Sequence, residues 1–149
     1  MTEKELTIYA EKIGRLLQSG DIIILTGDLG AGKTTFTKGI ARGLGISQMV
    51  KSPTFTIVRE YQGGRLPLYH MDIYRIGDDP DSFDMYSYFE ANGVSIIEWG
   101  ELLASDLPEK YLTIRFIKAS DTTRQLILEA HGDGAEKLLE NPTLTASLI

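Results

Sequence analysis

The 149-residue sequence predicts an α/β fold: a single three-layer domain over residues 1–149, whose mixed, partly parallel sheet carries helices on both faces. Three observations lead there. Two runs, Ile22-Ile23-Ile24-Leu25 and Val94-Ser95-Ile96-Ile97, are apolar with little alternation, as central strands covered on both faces are. The first leads through Thr26 into Gly27-Asp28-Leu29-Gly30-Ala31-Gly32-Lys33-Thr34 and then into a helix-compatible segment, Thr35 to about Leu44. Two later segments, Tyr111–Lys118 and Arg124–Ala130, alternate as half-buried strands do.

Taken in order, Thr2 and Glu5 have the spacing of a capping box. Leu6, Tyr9/Ala10, Ile13 and Leu16/Leu17 then recur at helical spacing until Ser19-Gly20 stops the helix. This helix is expected to pack on the sheet, with its first turn placed to border the ligand of the glycine loop. After the strand Ile22–Thr26 and the loop, Phe36, Ile40 and Leu44 make an inward stripe that Gly45 ends. Val50–Phe55 reads as an ordered loop, because Pro53 fixes its own φ and keeps Ser52 extended. Strands of about Thr56–Tyr61 and Leu66–Tyr74 flank Gln62-Gly63-Gly64-Arg65, a hairpin signature.

In the second of these strands Tyr69, Met71 and Ile73 share one face, and His70, Asp72 and Tyr74 the other. That polar row is either a solvent face or the wall of a site. Asp78-Asp79-Pro80-Asp81 opens a helix to about Ala91, whose Phe83, Met85, Tyr86 and Phe89 suit a core or partner surface; Asn92-Gly93 ends it. A short helix at Glu101–Ser105 precedes Pro108. Tyr111–Lys118 and Arg124–Ala130, joined through Ala119–Thr123, extend the sheet in antiparallel fashion, and Ala135–Glu140 forms a brief last helix.

Glycines let a backbone curl around an anion, so that successive N–H groups and a helix N-terminus converge on phosphate oxygens. Lys33 then neutralises β- and γ-phosphates and Thr34 offers its hydroxyl to magnesium, which makes the fold P-loop NTPase-like. Glu98, at the carboxyl end of the second apolar strand, stands where such folds place a magnesium-side acid of the Walker B kind. Asp72 is a second acid for magnesium or water positioning, and Arg59 and Arg75 are candidates for an arginine finger in cis.

A net charge of −6 argues against a free-standing nucleic-acid binder, since phosphate backbones demand concentrated Lys and Arg; any nucleic acid is met through a partner. Lys38, Arg42 and Lys51 read as a solvated face. The chain has no cysteine, so it builds neither a disulfide nor a thiolate metal site. With a polar start and no apolar run of membrane-spanning length, a cytoplasmic protein that does not enter the membrane is expected.

Four landmarks in order, GDLGAGKTT at Gly27–Thr35, SPTF at Ser52–Phe55, HMDIYR at His70–Arg75 and IEW at Ile97–Trp99, resemble the TsaE (YjeE) family of small bacterial P-loop ATPases. The resemblance implies a component that binds and hydrolyses ATP beside the partners TsaD and TsaB, which make threonylcarbamoyladenosine in tRNA, so that tRNA is met only through the complex. It implies ATP/ADP and Mg2+ as cofactors. Asp28, Leu29, Gly30, Ala31, Gly32, Lys33, Thr34 and Thr35 would cradle the phosphates, Thr54 would make a switch-like contact near the γ-phosphate, Asp72 and Glu98 would be the acids, and Trp99 would flank the site. Many relatives carry a Leu-Gly pair where Asp84–Tyr88 stands here, which predicts a local change in the helix before Val94.

Other classes make different demands. A GTPase needs an Asn-Lys-x-Asp motif, and neither Asn92 nor Asn141 begins one. A small-molecule kinase adds an arginine-rich lid, whereas the arginines here are scattered, and a non-catalytic nucleotide-binding scaffold would bind without partner-stimulated hydrolysis.

Overall fold

The computed structural model describes residues 2–27, 32–48, 50, 58–72, 86–89, 92–98 and 110–132. The elements are α1 (Glu3–Leu16), β1 (Ile22–Gly27), α2 (Lys33–Gly43), β2 (Val58–Tyr61), β3 (Leu68–Asp72), α3 (Tyr86–Phe89), β4 (Val94–Glu98), β5 (Tyr111–Lys118) and β6 (Arg124–His131). The helices expected at Glu101–Ser105 and Ala135–Glu140 and most of the Val50–Phe55 loop fall outside the described residues. So do Ile73, Tyr74 and the first part of the helix expected from Asp81 to about Ala91.

The six strands form one sheet in the order β2-β3-β4-β1-β5-β6. Its four inner strands, β3, β4, β1 and β5, run parallel, and the edge strands β2 and β6 are antiparallel to their neighbours. The hairpin of β5 and β6 is thus as expected, but β5 joins β1 in parallel; only β6 is an antiparallel extension. Alternation fixes which residues share a face, whereas direction depends on the path of the connection, which alternation does not encode.

Register assigns the faces. Ile23 and Leu25, Val94, Ile96 and Glu98, Leu68 and His70, and Leu112, Ile114 and Phe116 lie on one side of the sheet. Helices α1 and α2 cover it. Leu6, Tyr9, Ala10 and Ile13 from α1 and Phe36, Ile40 and Leu44 from α2 join those strand residues in one core, with Phe36 edge-on to Phe116 at 5.4 Å between ring centroids. Burying each large apolar side chain of this kind contributes about 2 kcal/mol. On the opposite side Ile22, Ile24, Ile97 and Met71 are buried, and Tyr88 of α3 packs edge-on against Tyr69 at 5.2 Å.

The helix ends follow the sequence signals. Glu5 donates its backbone N–H to Thr2 Oγ1 at 3.2 Å while Glu5 Oε1 accepts from the Thr2 N–H at 3.0 Å, completing the capping box. Beyond α2, Gly45 takes φ +82°, and the N–H groups of Gly45 and Ile46 donate to the carbonyls of Arg42 and Ala41, a Schellman termination.

The connection from β2 to β3 is longer than the expected four residues, Gln62 to Pro67. It is held to the helix layer. Arg65 donates its backbone N–H to Leu44 O at 2.6 Å, and its Nη2 reaches the carbonyls of Gly14 and Leu17 at the end of α1, at 2.9 and 2.7 Å. A guanidinium at the negative end of a helix satisfies carbonyls that the helix leaves unpaired.

Candidate nucleotide site

The site forms where the inner strands end. Gly27 closes β1 at φ +135°, and a Cβ there would lie 2.7 Å from the carbonyl oxygen of Phe116, so conformation and space both require glycine. Gly32, at φ +103°, is the N-cap of α2 and turns the chain so that the helix begins at Lys33. Lys33 is buried, and its Nζ donates to Gly27 O at 2.9 Å, spanning the loop from helix to strand. Thr34 and Thr35 follow in the first turn, half-buried. Their amides belong to the helix N-terminus, whose N–H groups and dipole favour an anion.

One strand away, Glu98 ends β4 in register with Leu25 and Asp72, on the face that α1 and α2 cover. It is buried with only 7% exposure, and His70 Nε2 lies 2.7 Å from its Oε2. His70 is fully buried, which excludes a solvent face for this end of the polar row. Arg59 stands opposite His70 on β2, its buried Nε without a hydrogen-bond partner.

On the other flank a cavity of about 360 Å³ opens beside Gly32 and Thr35. Glu3 and Leu6 of α1 and Thr122 and Arg124 of the β5–β6 hairpin line it. An isolated bridge between Thr2 and Thr123 ties the start of α1 to that hairpin and so brings both to the loop.

The donors suit phosphate and magnesium. Gly32, Lys33 and the following amides offer positive charge and N–H groups, and the Thr34 hydroxyl and Glu98 carboxylate are hard oxygens. Among the described residues no three His, Cys, Asp or Glu side chains gather as a metal cage. Magnesium is commonly held by one or two protein oxygens and substrate phosphates, so this sparse set fits it.

The family model Threonylcarbamoyl adenosine biosynthesis protein TsaE matches residues 1–126. The chain belongs to the TsaE family. The tRNA threonylcarbamoyladenosine biosynthesis protein TsaE of Bacillus subtilis is 45% identical over 137 residues, covering 92% of this chain and 87% of that protein. Its counterpart in Treponema pallidum is 47% identical over 116 residues, 76% of this chain and 85% of that one. The crystal structure of Bacillus subtilis YdiB matches with a TM-score of 0.84 at 40% identity, over 98% of this chain and 90% of the other.

In this TsaE-family chain, Gly32, Lys33, Thr34 and Thr35 come together at the start of α2, and Asp72 and Glu98 stand side by side at the ends of β3 and β4. Asp28, Leu29, Gly30, Ala31, Thr54, Trp99 and Arg75 lie outside the described residues. Arg42 comes within 3.7 Å of Glu11, so this part of the basic group is ion-paired at the surface. Sequence reasoning did not find the contact between His70 and Glu98. The polar row on β3 was its only signal, and the partner is 28 residues away. The lining from the β5–β6 hairpin had no signal in the sequence; the first turn of α1 lines the same cavity as Gly32 and Thr35.

Proposed function

We propose that this protein is a single-domain, cytoplasmic, magnesium-dependent P-loop ATPase that serves as an accessory subunit in making threonylcarbamoyladenosine in tRNA, acting with TsaD and TsaB and meeting tRNA through them. The observation that carries the reading is Lys33, buried and reaching back 2.9 Å to the Gly27 carbonyl at the end of an inner parallel strand, with the buried Glu98 one strand away. Family membership supports the tRNA pathway.

In this reading the amides from Asp28 to Thr35 and the Lys33 ammonium hold the triphosphate. Adenine and ribose enter the cavity beside Gly32 and Thr35. Thr34, Asp72 and Glu98 would hold magnesium, which would supply charge neutralisation to the phosphates. Thr54 contacts the γ-phosphate and Trp99 flanks it. Water attacks the γ-phosphorus in line as the bond to the β–γ bridging oxygen breaks, and ADP leaves with the electron pair. Phosphoryl transfer asks the protein chiefly for position and charge, which these residues supply.

The test is magnesium-dependent ATP hydrolysis by the chain, alone and with TsaD and TsaB, with Lys33→Ala and Glu98→Ala as controls. Stimulation by the partners that both substitutions abolish is expected. Tight ATP binding without stimulated hydrolysis would overturn the ATPase reading in favour of a scaffold, and phosphate carried to an acceptor other than water would make the chain a kinase.

A further inference from the structure

His70 sits in the middle of β3 with no exposed surface, in a layer otherwise filled by Leu68, Val94 and Ile96. Burying an imidazole there is unfavourable unless it is hydrogen-bonded. Its one hydrogen bond among the described residues is the 2.7 Å contact of Nε2 with Glu98 Oε2, and Nδ1 is buried without a partner. Against an ionised carboxylate, which only accepts, the ring would donate from Nε2. The Oε2 end of Glu98 is therefore gripped from inside the sheet.

We infer that His70 is a positioning residue for Glu98: by holding Oε2 it fixes the carboxylate plane at the end of β4, one strand away from the end of β1. The inference rests on the hydrolysis reading above for its consequence, though not for the contact itself. A carboxylate at the end of three rotatable side-chain bonds gains catalytic value when a second group removes its freedom. The register supplies that group. Asp72 pairs with Glu98 and His70 with Ile96, which sets the imidazole one step behind the carboxylate on the same face.

Two substitutions of similar size separate positioning from packing. The side-chain nitrogen of Gln reaches the place of imidazole Nε2, whereas that of Asn stops near Nδ1. In assays of the full chain with TsaD and TsaB, His70→Asn is expected to lower kcat about 10- to 100-fold with little change in ATP affinity, and His70→Gln to restore most of it. Equal loss in both variants, or none in His70→Asn, would overturn the inference. A readout without turnover stands beside this: with two histidines in the chain, 15N-imidazole spectra resolve His70 readily. The proton is expected on Nε2, with a resonance that moves in Glu98→Ala. A proton on Nδ1 with bare Nε2 would overturn the contact even if both variants fold poorly. If the unsubstituted assembly hydrolyses no ATP, the ATPase reading fails, and the spectra still decide whether His70 holds Glu98.

Discussion

Where α1 lies against α2 the contact is backbone on backbone, whereas along the same sheet face His70 and Glu98 meet through one polar contact. In the first region small residues at matched spacing, Ala10 and Gly14 on α1 and Gly39 and Gly43 on α2, let the helices nearly touch. A Cβ on Gly43 would stand 2.3 Å from Glu11 O, and one on Gly39 2.6 Å from the Ala10 methyl. The second region has room for side chains and is specified by a donor and an acceptor 2.7 Å apart. Volume decides stability at the helix contact, and hydrogen-bonding identity decides behaviour at the strand ends.

The largest expected effect tests the helix contact. Gly43→Ala pushes against backbone that has no rotamer to yield, so it is expected to destabilise by about 3 kcal/mol, lowering the melting temperature by roughly 6–12 °C. Gly20→Ala is the contrast, with φ +89° but nothing within 4 Å, and only the left-handed strain of about 1 kcal/mol applies. Thermal melts of the two variants that coincide would show that close approach is not what glycine provides at position 43.

Next comes the strand-end region. Lys33→Ala is expected to weaken ATP binding or hydrolysis about 100-fold while shifting stability by no more than about 1 kcal/mol. Calorimetric titration with ATP and urea unfolding of the same sample check both halves. A collapse of stability comparable to Gly43→Ala would make Lys33 a structural residue and erase the contrast between the regions.

The contrast also marks what the sequence made legible. The apolar runs ending at Leu25 and Ile97 and the Phe36/Ile40/Leu44 stripe are local patterns, and each stands in the structure where its pattern placed it. The strand order is not local, and neither is the direction of β5. Pairing of His70 with Glu98 needs the register of β3 on β4, and alternation alone left His70 between solvent and site. The close approach at Gly14, Gly39 and Gly43 is not local either, because its reason is the neighbouring helix.

A smaller effect is expected at the start of α1, which the bridge of Thr2 with Thr123 ties to the β5–β6 hairpin. Thr2→Ala removes the hydroxyl that caps the helix and is expected to lower stability by about 1 kcal/mol in urea unfolding. Glu5, whose carboxyl is held below its ordinary range first by the backbone N–H of Thr2 and then by its hydroxyl, adds a pH signature. Its contribution is present above the unfolded value near 4.5 and is lost as pH falls through the lower folded value. Glu5→Gln should remove that acid-side loss; an unchanged acid limb would mean that the box does not persist in solution.

The smallest effect is the sharpest test of the contrast, because it places a polar atom in the region governed by volume. Tyr9 is buried in the α1–α2 core with 1% exposure, and its hydroxyl has no hydrogen-bond partner among the described residues. Burial pushes the phenol up from 10.0 to about 12. Tyr9→Phe keeps the ring and deletes an unsatisfied hydroxyl, so stability at neutral pH should be unchanged or higher by about 1 kcal/mol. A raised folded value means that the stabilisation is complete below pH 10.0 and declines toward about 12, since the unfolded chain ionises first. The variant should lose that part of the alkaline decline. Urea unfolding at pH 7 and pH 11 measures both. A loss near 2 kcal/mol at pH 7 would show that the hydroxyl is bonded in solution, and the helix contact would then depend on hydrogen-bonding identity as the strand ends do.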